Sequence, residues 1–263
     1  MRDQKKFKKM IHRSRDSLFS DVVRRYLRTP AAVIGGVILL VIVFVCIFAN
    51  VLVPEELVTA YDAGAMLSPP SAEHWFGTDN LGRDLFARVI YGARITVGIG
   101  VGATLVSLVI GAAIASICAL FKKADLVVMR VIDVVTCVPS ILLSLVLLAI
   151  MGGSVLNMMV TLTIVSVPGF VLRIRSVLLG VVDQDYIHAA RVSGTRPLKL
   201  VLRHILPNAI DPIIVDATMT ISSMMLSAAG LSFIGVGAAI EAVGEIVPTP
   251  AMKQPFELKA TPR

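Results

Sequence analysis

The chain has 263 residues, 56% of them hydrophobic and only 16% charged, and a formal net charge of +7. A soluble domain carries about 45–50% apolar and about 25% charged residues; here the apolar excess falls into long uncharged runs, the pattern of a helical membrane protein. Nucleic acid is not the reason for the positive charge: ten of the 25 Lys and Arg precede Thr29 and six lie between Arg173 and Arg203, beside apolar runs, where basic residues set membrane orientation.

Residues 1–29 form a basic head, within which Ser17–Tyr26 has amphipathic character suited to a membrane surface. The first apolar run, Ala31–Val53, lacks a small-residue cleavage site and reads as a retained anchor. At 1.5 Å per residue it covers a hydrocarbon layer about 30 Å thick. Residues 54–94 are a polar connection with six acidic and three basic residues, broken by Pro69 and Pro70. Leu81–Thr96 reads as a short amphipathic helix leading into a second span, Ile95–Phe121. That span carries Gly98-xxx-Gly102 and Gly111-xxx-Ala115, small residues that let helices approach closely.

Lys122, Lys123 and Asp125 make a short turn. A third span over about Val127–Met151 should be kinked by Pro139, with Arg130 and Asp133 three apart on one helix side. Gly152-Gly153-Ser154 is a tight turn, and a fourth span covers about Leu156–Leu172. A charged connection, 173–208, leads to a fifth span over about Ile213–Ile240, with Asp216 near its start. The polar remainder, 241–263, holds no run long enough to cross a bilayer.

Basic residues orient the five spans with the N-terminus inside. Cytoplasmic segments then hold ten Lys and Arg in the head, two at 122–123 and six over 173–203, against three over 54–94, none over 152–154 and three in the tail. Asp133 and Asp216 lie near span ends, which suits interfacial roles better than pathway roles.

No GxxxxGK[ST] phosphate-binding loop is present, so the chain does not hydrolyse ATP through one. Cys46, Cys118 and Cys137 sit singly in apolar runs, and the four histidines form no zinc pattern, so no metal, cofactor or enzymatic chemistry is expected. The informative stretch is Asp185–Ala209, which includes Tyr186, His188, Ala189, Ala190, Arg191, Gly194 and then Ile205-Leu206-Pro207. It reads as a short helix with small residues suited to close packing, a glycine turn, a second helix opened by Pro197 and a stop at Pro207.

The spacing of Ala189-Ala190, Gly194 and Ile205-Leu206-Pro207 resembles the EAA loop of binding-protein-dependent ABC permeases, with His188 in place of the usual glutamate. A second segment, Phe76-Gly77-Thr78-Asp79-Asn80-Leu81-Gly82-Arg83-Asp84, resembles the region after the first external loop of dipeptide and oligopeptide permease C-type subunits. Leu206-Pro207-Asn208-Ala209 and Leu231-Ser232-Phe233-Ile234-Gly235 fit the same group, and the resemblance runs from about Leu27 to Gly237.

This resemblance implies an all-α multispan permease of the bacterial inner membrane, moving peptides or similar small solutes by alternating access. It also implies its partners: a second permease, two cytoplasmic ATPases, an external solute-binding protein and the bilayer, but no nucleic acid. Residues 1–29 would be a cytoplasmic head and 30–240 the permease domain, with an external loop at 54–94 and a cytoplasmic ATPase-coupling loop at 173–208. The segment 241–263 would be an atypical tail. Such permeases carry a sixth span, which is missing after Ile240, and Ala228 stands about where an acidic residue is usual. A truncated or degenerate non-transporting subunit is therefore the alternative. An ion-coupled secondary transporter is the lesser one, because the mid-span ionisable groups it needs are absent.

Overall fold

The computed structural model describes Arg24 and residues 26–54, 56–59 and 62–235. Most of the basic head, the amphipathic reading of Ser17–Tyr26, the tail 241–263 and the matter of a sixth span lie outside the described residues. Hydrocarbon offers no water to bond backbone N–H and C=O groups, so an apolar run must close its hydrogen bonds internally. Accordingly, the described residues are helical and carry no strand, only an isolated bridge between Thr78 and Asp84. Among the described residues four helices are individually long and apolar enough to cross a bilayer, and one bent pair of helices passes the same test only when its halves are taken together.

The chain divides into two units, residues up to Arg94 and residues from Ile95. In the first, α1 (Pro30–Leu52) opens on a proline whose missing N–H costs nothing at a helix start. It is apolar all round, with a mean hydropathy of 3.2, and most of its large side chains stay uncovered, as lipid rather than water would require. A short α2 (Glu56–Thr59) follows. The start of α3 (Leu85–Leu120) is tied to the end of α1: the Tyr91 hydroxyl donates to Val53 O at 3.3 Å and the Arg94 guanidinium to Asn50 Oδ1 at 2.5 Å.

Two sequence expectations change at α3. No separate helix covers Leu81–Thr96; residues 81–84 are non-helical and end at the Asp84 bridge, and one 36-residue helix then runs unbroken from Leu85. The charges at Arg88 and Arg94 do not interrupt it, because Asp79 and Asn50 receive them locally.

The second unit contains α4 (Lys122–Thr136), α5 (Ser140–Met151), α6 (Val155–Val182), α7 (Asp185–Val192), α8 (Pro197–Leu200) and α9 (Ile210–Phe233). A π turn, Val201–Ile205, and a 3-10 turn, Leu206–Asn208, prolong α8. The expected kink at Pro139 is a break: α4 and α5 meet at 82°. Pro139 has no N–H to continue the ladder and holds Val138 away from helical geometry. With 15 and 12 residues, neither half spans a membrane alone. Arg130 and Asp133 are both exposed on α4, and no ion pair joins them among the described residues.

The helix at the fourth expected span runs on past that range. Helix α6 does not stop near Leu172 but continues to Val182, passing through Pro168, Arg173 and Arg175. Both arginines find carboxylates on neighbouring helices. Arg175 takes Asp125 with two nitrogens, one of them 2.6 Å from Oδ2, and Arg173 Nε lies 2.6 Å from Asp216 Oδ1. Paired charge can stay in a helix where unpaired charge would seek water. Near Pro168, the Ser107 hydroxyl, 2.7 Å from Ala103 O of its own helix, also lies 3.2 Å from Thr163 O and 2.6 Å from Ser166 Oγ of α6. The fifth span is Ile210–Phe233, ending earlier than expected in a turn at Gly235 (φ +86°).

Two apolar clusters lie along α6. One gathers Met158 and Leu162 with Ile99, Leu148, Met224 and Leu231; the other gathers Phe170, Ile174, Leu178 and Val182 with Ala115, Ile132 and the 187–213 segment. The small-residue pairs expected on α3 are only partly used. A Cβ on Gly111 would stand 2.6 Å from Phe170 Cβ, so α3 and α6 touch backbone to side chain there, whereas Gly98 has nothing within 4 Å.

Candidate functional site

The segment 183–209 packs on α6 through Ile187, Leu200, Val201 and Ile205. Helix α7 ends in a paired cap: Gly194 N–H donates to Arg191 O at 2.9 Å and Thr195 N–H to Ala190 O at 3.2 Å. This is a Schellman arrangement, which needs a left-handed residue at its turn, and Gly194 supplies φ +75°. Pro197 then begins α8 as expected. Pro207 does not close the second helix. It sits inside the 3-10 turn, and the interruption comes at Ala209, whose N–H reaches both Ile205 O and Leu206 O.

Burial separates two faces. Ile187, Leu200, Val201 and Ile205 are buried against Ile174, Leu178 and Val182 of α6. Leu206 and Ala190 are half-buried against the same cluster. Tyr186, His188, Ala189, Arg191, Gly194 and Pro207 are exposed. Apolar side chains join them: Val192 is 90% exposed, Leu198 70% and Tyr186 45%. Of the two alanines, Ala189 is on the open face, and Ala190 partly faces the chain's own core.

In the first unit, the 76–84 motif is a knot of hydrogen bonds around two aspartates. The Asp79 carboxylate accepts from Leu81 N–H (2.8 Å), Arg83 N–H (3.0 Å), Arg83 Nε (2.9 Å) and Arg88 NH1 (2.9 Å). Asp84 caps α3 by accepting from Ala87 N–H at 2.9 Å and holds His74 Nδ1 at 2.8 Å. The Thr78 hydroxyl accepts from Ser68 N–H at 2.8 Å and donates to Ala65 O. Gly77 and Gly82 have φ of +74° and +72°, and a Cβ on either would run into the backbone, at Ser68 O and Asp62 O respectively. Phe76 and Trp75 are exposed but pack on Phe86, with centroids at 5.4 and 5.1 Å. Leu81 is half-buried. Burial by itself would push both carboxyls up, but the backbone donors and the Arg83 or His74 partner outweigh it and hold each below its ordinary value.

A third feature was not legible as a site in the sequence. Between α5, α6 and α9 lies a cavity of about 500 Å³ lined by Ser140, Ser144, Ser166, Thr220, Ser223, Ser227 and Arg173, with Leu162 and Leu231 among its apolar walls. Several hydroxyls donate back to the carbonyl four residues earlier: Ser144 to Ser140 O, Thr220 to Asp216 O and Ser227 to Ser223 O. Their donors are thereby satisfied within the helix while lone pairs remain for a guest. One signal did exist in sequence. Asp216, Thr220, Ser223 and Ser227, spaced by four, three and four, form a polar stripe along one face of α9.

Comparison with known proteins agrees with the geometry. Residues 107–257 match the family described as binding-protein-dependent transport system inner membrane component, and residues 17–70 match the N-terminal TM domain of oligopeptide transport permease C. The dipeptide transport system permease protein DppC of Alkalihalophilus pseudofirmus is 34% identical over 223 residues, 84% of this chain and 73% of that protein. The glutathione transport system permease protein GsiD of Pectobacterium atrosepticum is 35% identical over 216 residues, 82% of this chain and 72% of that protein. The GsiD of Escherichia coli O6:K15:H31 is also 35% identical over 216 residues, 82% of this chain and 71% of that protein.

Proposed function

From the premise that this chain belongs to the binding-protein-dependent transport system inner membrane components, and so is a multi-pass permease subunit of an ATP-driven importer in the bacterial inner membrane, we propose that residues 183–208 are its contact with an ATPase. The observation that carries this reading is the division of the segment into a buried anchor and an open apolar face. Ile187, Leu200 and Ile205 fix it to α6, so a push on Tyr186, Ala189 or Val192 is delivered to the spans rather than absorbed by a loop. Uncovered apolar side chains on a segment anchored from its other face suit a protein partner. Because α6 runs to Val182, the coupling element is 183–208 rather than 173–208.

The rest of the assembly follows from the same reading. The 54–84 connection stands outside, where the Asp79–Asp84 knot gives a shaped surface against the solute-binding protein. A second permease completes the pathway for peptides or similar small solutes, and two ATPases drive it. ATP binding closes the ATPases, their movement is carried through the 183–208 segment to α6, and the pathway changes the side on which it opens. The permease contributes a route and makes or breaks no bonds.

The test is co-purification of the ATPase with Tyr186→Asp and Val192→Asp. Both residues are exposed, so the variants should reach the membrane at normal levels. ATPase recovery should fall severalfold for each. Undiminished recovery together with normal transport would refute the assignment.

A further inference from the structure

We infer that the cavity between α5, α6 and α9 receives the carboxylate end of the transported solute, with Arg173 as the recognising group. This rests on the peptide-importer reading above. Among the described residues lining the cavity, Arg173 alone carries charge. A guanidinium has five N–H donors in a planar fork. Arg173 Nε is ion-paired with Asp216 Oδ1 at 2.6 Å, and one NH2 donor goes to Thr220 Oγ1 at 3.3 Å. Both donors of NH1 and one of NH2 are left over.

The contrast with Arg175 is informative. Asp125 engages Arg175 through both carboxylate oxygens, so that pair consumes the nitrogens on one edge and reads as structural. Asp216 gives Arg173 only one oxygen; its Oδ2 is buried without a hydrogen-bond partner. The end-on edge of the Arg173 fork, NH1 with NH2, is thus available for the bidentate approach that carboxylates make.

The surroundings hold that edge in place. The guanidinium lies 5.1 Å from the centroid of the Phe170 ring. It also rests against Gly169, where a Cβ would stand only 3.0 Å from NH1. Asp216 keeps the cation neutralised while the cavity is empty. A volume of about 500 Å³ is within the range of small-molecule pockets, and the hydroxyls of Ser144, Ser166, Ser223 and Ser227 suit the amides of a short peptide.

The experiment uses the assembled importer in proteoliposomes. Alanine peptides of two to four residues and glutathione serve as probes, each as the free acid and as the C-terminal amide. The binding protein is saturated with each probe beforehand, so that its own preference does not enter. The wild type should import acids about tenfold faster than amides. Arg173→Gln should bring the two rates together, and Arg173→Lys, which keeps charge but loses the fork, should give an intermediate ratio. The amount of assembled complex is measured alongside. If Arg173→Gln does not assemble, the wild type decides, since equal import of acid and amide overturns the inference. An acid-to-amide ratio unchanged by Arg173→Gln also overturns it and leaves the peptide reading standing. No import of any probe by the wild type would overturn both.

Discussion

Gly194 offers a test in which conformation and bulk make opposite demands. Its φ of +75° lies in the left-handed region, yet a Cβ built there meets nothing within 4 Å. The cost of a side chain is therefore backbone strain alone, about 1–2 kcal/mol for an ordinary L-residue. It is greater for a β-branched one and small for asparagine, which tolerates this region. A strained turn relaxes by unwinding the paired cap on Ala190 O and Arg191 O, which swings α7 away from α8. Docking on the ATPase must restore the turn, so the strain appears as lost affinity, at about 1.4 kcal/mol per factor of ten. The expected order is Gly194 close to Gly194→Asn, then Gly194→Ala weaker by about five- to thirtyfold, then Gly194→Val weaker still. ATPase titration onto the solubilised permease measures it. Were Gly194→Asn as damaging as Gly194→Val, bulk rather than backbone geometry would govern the position, and this reasoning would fall.

Four further outcomes follow. Gly111→Ala must push the Phe170 Cβ and backbone of α6, costing about 1–3 kcal/mol, whereas Gly102→Ala meets only the movable Met159 side chain; thermal unfolding in detergent should rank Gly111→Ala clearly lower. Asp79→Asn turns one acceptor oxygen into an NH2 group facing Arg83 and Arg88, so the 76–84 knot should lose about 2–3 kcal/mol and become sensitive to limited proteolysis. With the folded pKa values of Asp79 and Asp84 depressed, the wild-type knot keeps their full contribution above the unfolded value of about 4 and loses it as pH falls through the lower folded values; hydrogen exchange over 76–87 should report loosening only in that acidic window. For topology, Ser71→Cys should react with an impermeant thiol reagent from outside and Ser193→Cys only from the cytoplasmic side; the reverse pattern would invert the orientation.

Much of this protein is written in one dimension. The apolar runs at 31–53 and 95–121 fix spans because a bilayer leaves an uncharged run of that length no better solution than a helix. The Gly194 turn and the Pro197 helix start are also local, set by the absence of a Cβ and by a locked φ. The motif at 76–84 was visible as a pattern, but not as a knot, because its bonds reach from Asp79 to Arg88 and from Thr78 to Ala65. Tertiary structure decided the rest through charge pairing and packing. Arg173 and Arg175 looked like the end of a span and proved to lie within α6, because Asp216 and Asp125, distant in sequence, neutralise them. The cavity arises from hydroxyls on three helices, each ordinary on its own; only the packing of α5 and α9 against α6 places them around one volume. Sequence patterns report what a residue needs from its near neighbours. Whether a charge is paired, or a hydroxyl faces space, depends on which helices meet.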